Sequence, residues 1–117
     1  VSSRGLGDVY KRQGKTAVQA VGTSATAIVT NSASSSKVFK VNTLLVSNVD
    51  GTNTASITAD LYRSNTAYNL VKTVSVPANA SLDVLSKPIY LEEGDALRLT
   101  ANAASDLEAI CSYEEIS

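Results

Sequence analysis

The residues that could do chemistry in this chain are few. Glu92, Glu93 and Asp95 surround Gly94 in the stretch Pro88–Thr100, and three carboxylates in one turn are the donor set of a hard cation such as calcium. No regular ligand spacing follows them, so a solvated acidic turn is the plainer reading, and no metal is assigned. Cys111 is the only cysteine and histidine is absent. The lack of histidine removes the usual general base, the commonest metal ligand and any Ser-His-Asp arrangement. A reactive thiolate needs an electropositive, partly exposed setting, whereas Cys111 falls on an apolar face near Glu108 and Glu114. Gly14-Lys15-Thr16 matches the end of a phosphate-binding loop, but Val9 stands where the loop's first glycine belongs. Gly5-Leu6-Gly7 lacks the third glycine of a dinucleotide fingerprint, because Tyr10 takes its place. The residues therefore point to a protein that is not an enzyme and uses no cofactor.

The elements that carry these residues read as strands. Ile89 and Leu91 lie two apart before the acidic turn, Leu97 and Leu99 two apart after it, and Gly94 supplies the positive φ of a tight reversal. Ala55, Ile57, Ala59 and Leu61 alternate with polar residues, as a half-buried strand does. Tyr68, Leu70, Val74 and Val76 form one phase of the next strand, which Pro77 ends. In Lys37–Asn48 the alternation slips: Phe39 and Val41 fit one face, Leu44 and Val46 the other. A bulge at Asn42 or Thr43 returns both pairs to the core. Asp50-Gly51 is a hairpin signal, and Asn31–Ser36 reads as a solvated loop. Lys15–Gly22 and Thr26–Thr30 are β-prone pieces that could form a hairpin or one bent strand. Leu107, Ala109, Cys111 and Tyr113 share the inner face of a last strand. The sum is an all-β domain, a single β-sandwich of seven to eight antiparallel strands of immunoglobulin-like or jelly-roll type, over residues 14–117. Asp50, Gly51 and Gly94 are its structural turn residues.

Residues 1–13 differ in character and read as a disordered extension. They also resemble a string found at the ends of translated environmental sequences, an adapter artefact. The 10 basic and 11 acidic residues give a net charge of −1, and the acidic groups gather from Glu92 onward, so nucleic acid and anionic membrane are not expected partners. No apolar run reaches the length of a spanning helix, and no signal-peptide core is visible.

Five tyrosines leave room for carbohydrate recognition. Tyr62 and Tyr90 face outward by phase, and Ile110 is the large apolar residue on the outer side of the last strand. Tyr62, Tyr90 and Ile110 are therefore the expected contact residues, to another protein copy or, in the alternative reading, to a sugar or host surface.

From about Gly14 to Ser117 the chain resembles small virion structural proteins of tailed phages of marine bacteria, including cyanobacteria. The resemblance is carried by Ala27-Ile-Val-Thr-Asn31, Val41-Asn-Thr-Leu-Leu-Val-Ser-Asn-Val-Asp-Gly51, Lys72-Thr-Val-Ser-Val-Pro-Ala78, Pro88-Ile-Tyr-Leu-Glu-Glu-Gly-Asp95, Asp106-Leu-Glu-Ala109 and Ser112-Tyr-Glu-Glu-Ile-Ser117. It implies a non-enzymatic component made in the host cytoplasm and assembled in many copies into the virion. Capsid decoration, neck and tail or fibre are the places it allows, and copies of itself and other virion proteins are the partners it implies.

Overall fold

The computed structural model describes residues 12–117. Nine strands run in order: β1 (Arg12–Val21), β2 (Thr26–Thr30), β3 (Val38–Asn48), β4 (Ala55–Arg63), β5 (Thr66–Val76), β6 (Ser81–Asp83), β7 (Ile89–Leu91), β8 (Ala96–Ala101) and β9 (Leu107–Ile116). They form two antiparallel sheets. Sheet A has the order β1-β9-β3-β6, with β7 also paired to β3, and sheet B the order β2-β8-β4-β5. The count exceeds the expected seven to eight because one position beside β3 is filled by two short pieces. β6 pairs with Leu45–Ser47 and β7 with Phe39–Val41. Of the extension expected over residues 1–13, Arg12 and Gln13 belong instead to β1, opposite Ile116 and Glu115; the rest lies outside the described residues.

One core fills the space between the sheets. Sheet A supplies Val21, Phe39, Val41, Leu44, Val46, Leu91, Leu107, Ala109 and Cys111, and sheet B supplies Val29, Ala55, Ile57, Ala59, Val76, Leu97, Leu99 and Ala101. The bulge in β3 is where the slipped alternation puts it. Register against β9 shifts between Val41 and Thr43, and Phe39, Val41, Leu44 and Val46 are all buried. A second re-phasing occurs in β5, where Thr73 takes φ 53° and its N–H donates to Thr58 Oγ1 at 3.0 Å. This breaks the single phase expected for that strand: Val76 is buried, Leu70 and Val74 are half-buried, and Tyr68 is 58% exposed.

Several connections cross between the sheets where local turn chemistry implied hairpins. β1 and β2 neither pair nor continue as one strand; the chain leaves sheet A at Gly22 and enters sheet B at Thr26. Asp50-Gly51 likewise joins β3 of sheet A to β4 of sheet B. Asp50 Oδ1 accepts the N–H groups of Thr52 and Asn53 at 2.8 and 3.2 Å, and Gly51 takes no positive φ, so the side chain of Asp50 makes this turn. The tight hairpin of the molecule is β4–β5, closed by Ser64 and Asn65, both with positive φ as a two-residue primed turn requires.

The acidic corner also crosses between sheets, from β7 to β8. Gly94 has φ 88° and nothing lies within 4 Å of where a Cβ would stand. Gly94→Val should therefore lose about 1–2 kcal/mol through backbone conformation alone, measurable as a lower denaturant midpoint with unchanged slope.

Two buried asparagines hold the ends of the molecule together. At one end Asn31, fully buried, donates through Nδ2 to the carbonyls of Lys37 and Leu91, both at 2.9 Å. Its Oδ1 accepts Ser35 Oγ–H, and its backbone exchanges bonds with Asp95 O and Gly94 N–H. The serine-rich segment after it is a solvated loop, with Ser32, Ala33, Ser34 and Ser36 exposed, and it is Asn31 that departs from that reading, as a buried amide over which the loop is anchored. At the other end Asn48 donates to the carbonyls of Asn53 and Val76 at 2.8 and 2.9 Å and accepts the N–H of Asp50 at 2.9 Å.

Candidate interaction surface

The acidic turn is a structural ion-pair site. Asp95 is buried; it accepts Arg63 Nε–H on Oδ1 at 2.9 Å, Arg63 Nη2–H on Oδ2 at 2.5 Å and the Glu92 N–H at 2.7 Å. Arg63 is in reach because the β4–β5 hairpin ends beside the corner. The guanidinium holds the Asp95 carboxyl below its ordinary value of 3.8, against the opposing effect of burial. Glu92 lies 3.6 Å from Arg63 Nη2, and Glu93 Oε2 accepts the N–H of Ser36 at 2.8 Å. The three acids therefore tie the corner to the hairpin and to the serine-rich segment. Among the described residues no group of three or more ligating side chains converges as a metal site.

Cys111 sits opposite Ala17 and Leu44 in the middle of sheet A and is fully buried. Burial pushes its thiol up to about 11, so almost none is thiolate at neutral pH. Iodoacetamide at pH 8 should leave the native protein unlabelled and label one thiol per chain in denaturant; native labelling at the denatured rate would contradict this placement.

The two outer faces differ in chemistry. On sheet B, Thr58 pairs with Thr100 and Asp60 with Arg98 in adjacent strands. Arg98 Nε donates to Asp60 Oδ1 at 2.9 Å, and its Cζ lies 3.9 Å from the centroid of the Tyr62 ring. Tyr62 is thus half-buried under a guanidinium in a cation–π contact. On sheet A, Val18 of β1, Ile110 of β9 and Leu45 of β3 stand in one register row across three adjacent strands, with exposures of 74%, 46% and 38%. Tyr90 projects from β7 opposite Lys40, 53% exposed, and Val38 lies opposite Ile116. Of the seven large apolar side chains exposed among the described residues, five are on this one face; Val49 and Tyr68 are elsewhere.

Of the three expected contact residues, Tyr90 and Ile110 therefore share the outer face of sheet A, and Tyr62 belongs to sheet B. The two tyrosines do not form one aromatic platform. Sequence reasoning missed Val18 and Leu45, because their row exists only once β1, β9 and β3 are known to be neighbours. The phase of Leu44 and Val46 made Leu45 outward, the piece holding Val18 had no phase assigned, and no local signal joins positions 18, 45 and 110.

An all-β chain of two antiparallel sheets, with an apolar row across the outer face of sheet A set among charged and polar residues such as Lys40, Glu108 and Glu114, is the class these features define. No family model and no curated protein matches the chain. Among solved structures it is similar to a protein of the Bacillus endospore appendages, described as a novel family of disulfide-linked pili, at a TM-score of 0.55 and 15% sequence identity, with 92% of this chain and 87% of that chain covered. At that identity the likeness shows a shared fold.

Proposed function

We propose that this chain is a non-enzymatic structural subunit that works in many copies, with other copies of itself as its principal partners. The observation that carries the reading is the outer face of sheet A, where Val18, Ile110, Leu45, Tyr90 and Val38 are exposed apolar side chains that contact would bury, among charged residues that would rim it. The likeness to an appendage protein supports it at the level of fold. The resemblance to tailed-phage virion proteins gives the setting we propose, a capsid decoration, neck or tail position reached from the host cytoplasm. The strand order supports a jelly roll: with β6 and β7 as one interrupted strand, each sheet has four strand positions.

Absence of catalysis is part of the proposal. No histidine is present, the one thiol is buried, and the acidic residues of the corner are engaged in holding it. Cohesion between copies would also be non-covalent within this sequence, since Cys111 cannot reach a neighbour without opening the core. Immunogold labelling of purified particles tests the reading. Label at many sites on each particle is expected, and label absent from every particle fraction would defeat it.

A further inference from the structure

Each sheet has two edges, and the sequence treats them differently. Edge strands invite pairing with another chain unless they are short, bulged, charged or interrupted by proline. In sheet B, β2 is five residues long with a register break between Ala27 and Val29. β5 has two register breaks against β4, the left-handed Thr73 and a terminal Pro77. On one side of sheet A, β6 and β7 are three residues each and are separated by a segment containing Pro88. β1 is the exception. It runs ten residues in unbroken register with β9 from Arg12 to Val21, and among the described residues no strand pairs with its outer edge. Lys15, the charge that could guard the middle of the strand, is turned onto Glu115 with Nζ 3.0 Å from Oε2.

Side-chain chemistry says what fits there. Val18, the most exposed large apolar side chain among the described residues, ends the row Leu45–Ile110–Val18 at this edge, so the apolar stripe stops at a strand that has no outer partner among those residues. We propose that β1 pairs antiparallel with β1 of a second copy about a twofold axis at Val18, joining the two A sheets into one. This rests on the many-copy reading and names the surface through which copies meet. In that register Val18 faces Val18 of the second copy, Gln19 faces Ala17, Thr16 faces Ala20 and Lys15 faces Val21. No like charges stand opposite one another, which would be destabilising. The apolar stripe continues across both copies as six side chains. A shift by one residue would set the apolar face of one sheet against the inner face of the other, so the row fixes the phase. Backbone N–H and C=O groups along the edge find partners, as in other strand-addition contacts.

The test uses the full chain with Cys111 retained. In Val18→Cys the two thiols would lie directly opposite across the axis, within the 4.4–6.8 Å Cα separation a disulfide spans. Oxidation with diamide should convert most of the protein to a covalent dimer. Thr43→Cys, exposed on the same face but two strands from the edge, should stay monomeric under the same treatment. Val18→Lys should weaken association at least tenfold in sedimentation velocity, with unchanged circular dichroism and melting. Equal cross-linking of both cysteine variants, or wild-type-like association of Val18→Lys, would overturn the edge pairing while leaving the many-copy reading intact. A wild type that stays a single 12.2 kDa species at every concentration would overturn both.

Discussion

Asn31→Ala is expected to destabilise the fold by about 2–4 kcal/mol, more than a typical polar-to-alanine change. The substitution removes both Nδ2 bonds and the Oδ1 acceptor while leaving the carbonyls of Lys37 and Leu91 in place. A net hydrogen bond contributes about 1 kcal/mol, but an acceptor left dry loses its full desolvation energy, about 1–3 kcal/mol. Domains of this size have about 5–15 kcal/mol in total, so the loss should appear as a fall in Tm of about 10 °C. Asn31→Asp should be no better, although it is nearly isosteric. It keeps the acceptor for Ser35 but turns a carboxylate oxygen toward two carbonyl oxygens. A melting temperature within error of wild type for Asn31→Ala would mean that water replaces the amide, and that the end of the molecule is open.

The second large effect is expected at the corner. Asp95→Ala removes three hydrogen bonds, two from Arg63 and one from the Glu92 N–H, and should lose about 2–4 kcal/mol. Arg63 is 40% exposed and can hydrate once freed, so the loss comes from the bonds and from the stranded Glu92 N–H. The pH dependence separates this from generic damage. Asp95 is held below 3.8 in the folded state, so at low pH the unfolded chain binds the proton first. Its contribution is therefore complete well above pH 3.8 and is lost as pH falls through the lower folded value. Glu115 acts in the same direction from its ordinary value of 4.5, held down chiefly by the hydrogen bond from Lys15, with Lys37 adding to it. Urea unfolding of the wild type should show stability falling with acid below about pH 4.5. Asp95→Ala should start lower and show a shallower acid slope, with the Glu115 part remaining. Equal slopes in both proteins would assign the acid sensitivity elsewhere.

What β3, β4 and β9 bury was largely legible from residue order, whereas in β5 the left-handed Thr73 breaks the phase and leaves Tyr68 exposed. The phases of Phe39 and Val41 against Leu44 and Val46 located the β3 bulge, because a two-residue period admits one way to keep both pairs inside. Gly94 marked a positive φ for the same local reason. Partners distant in the chain were not legible. Asp50-Gly51 has the chemistry of a hairpin turn and serves an inter-sheet crossing, since nothing in four residues says which sheet the next strand joins. Asp95 looked solvated because its partner, Arg63, lies 32 positions away. Asn31 read as part of a solvated loop and Asn48 as the end of a β-prone run; the burial of both comes with carbonyls brought to them by other parts of the chain. The interaction surface follows the same rule. Tyr90 and Ile110 were outward by phase, but Val18 and Leu45 joined them only through the order β1-β9-β3.

Sedimentation velocity of the wild-type chain over a wide concentration range tests most directly whether this domain exists to meet its own kind. The account predicts a mass-action shift from the 12.2 kDa subunit to larger species as concentration rises, weakly dependent on salt because the row Leu45–Ile110–Val18 at the contact is apolar. A single subunit-sized boundary at every concentration and salt would contradict it.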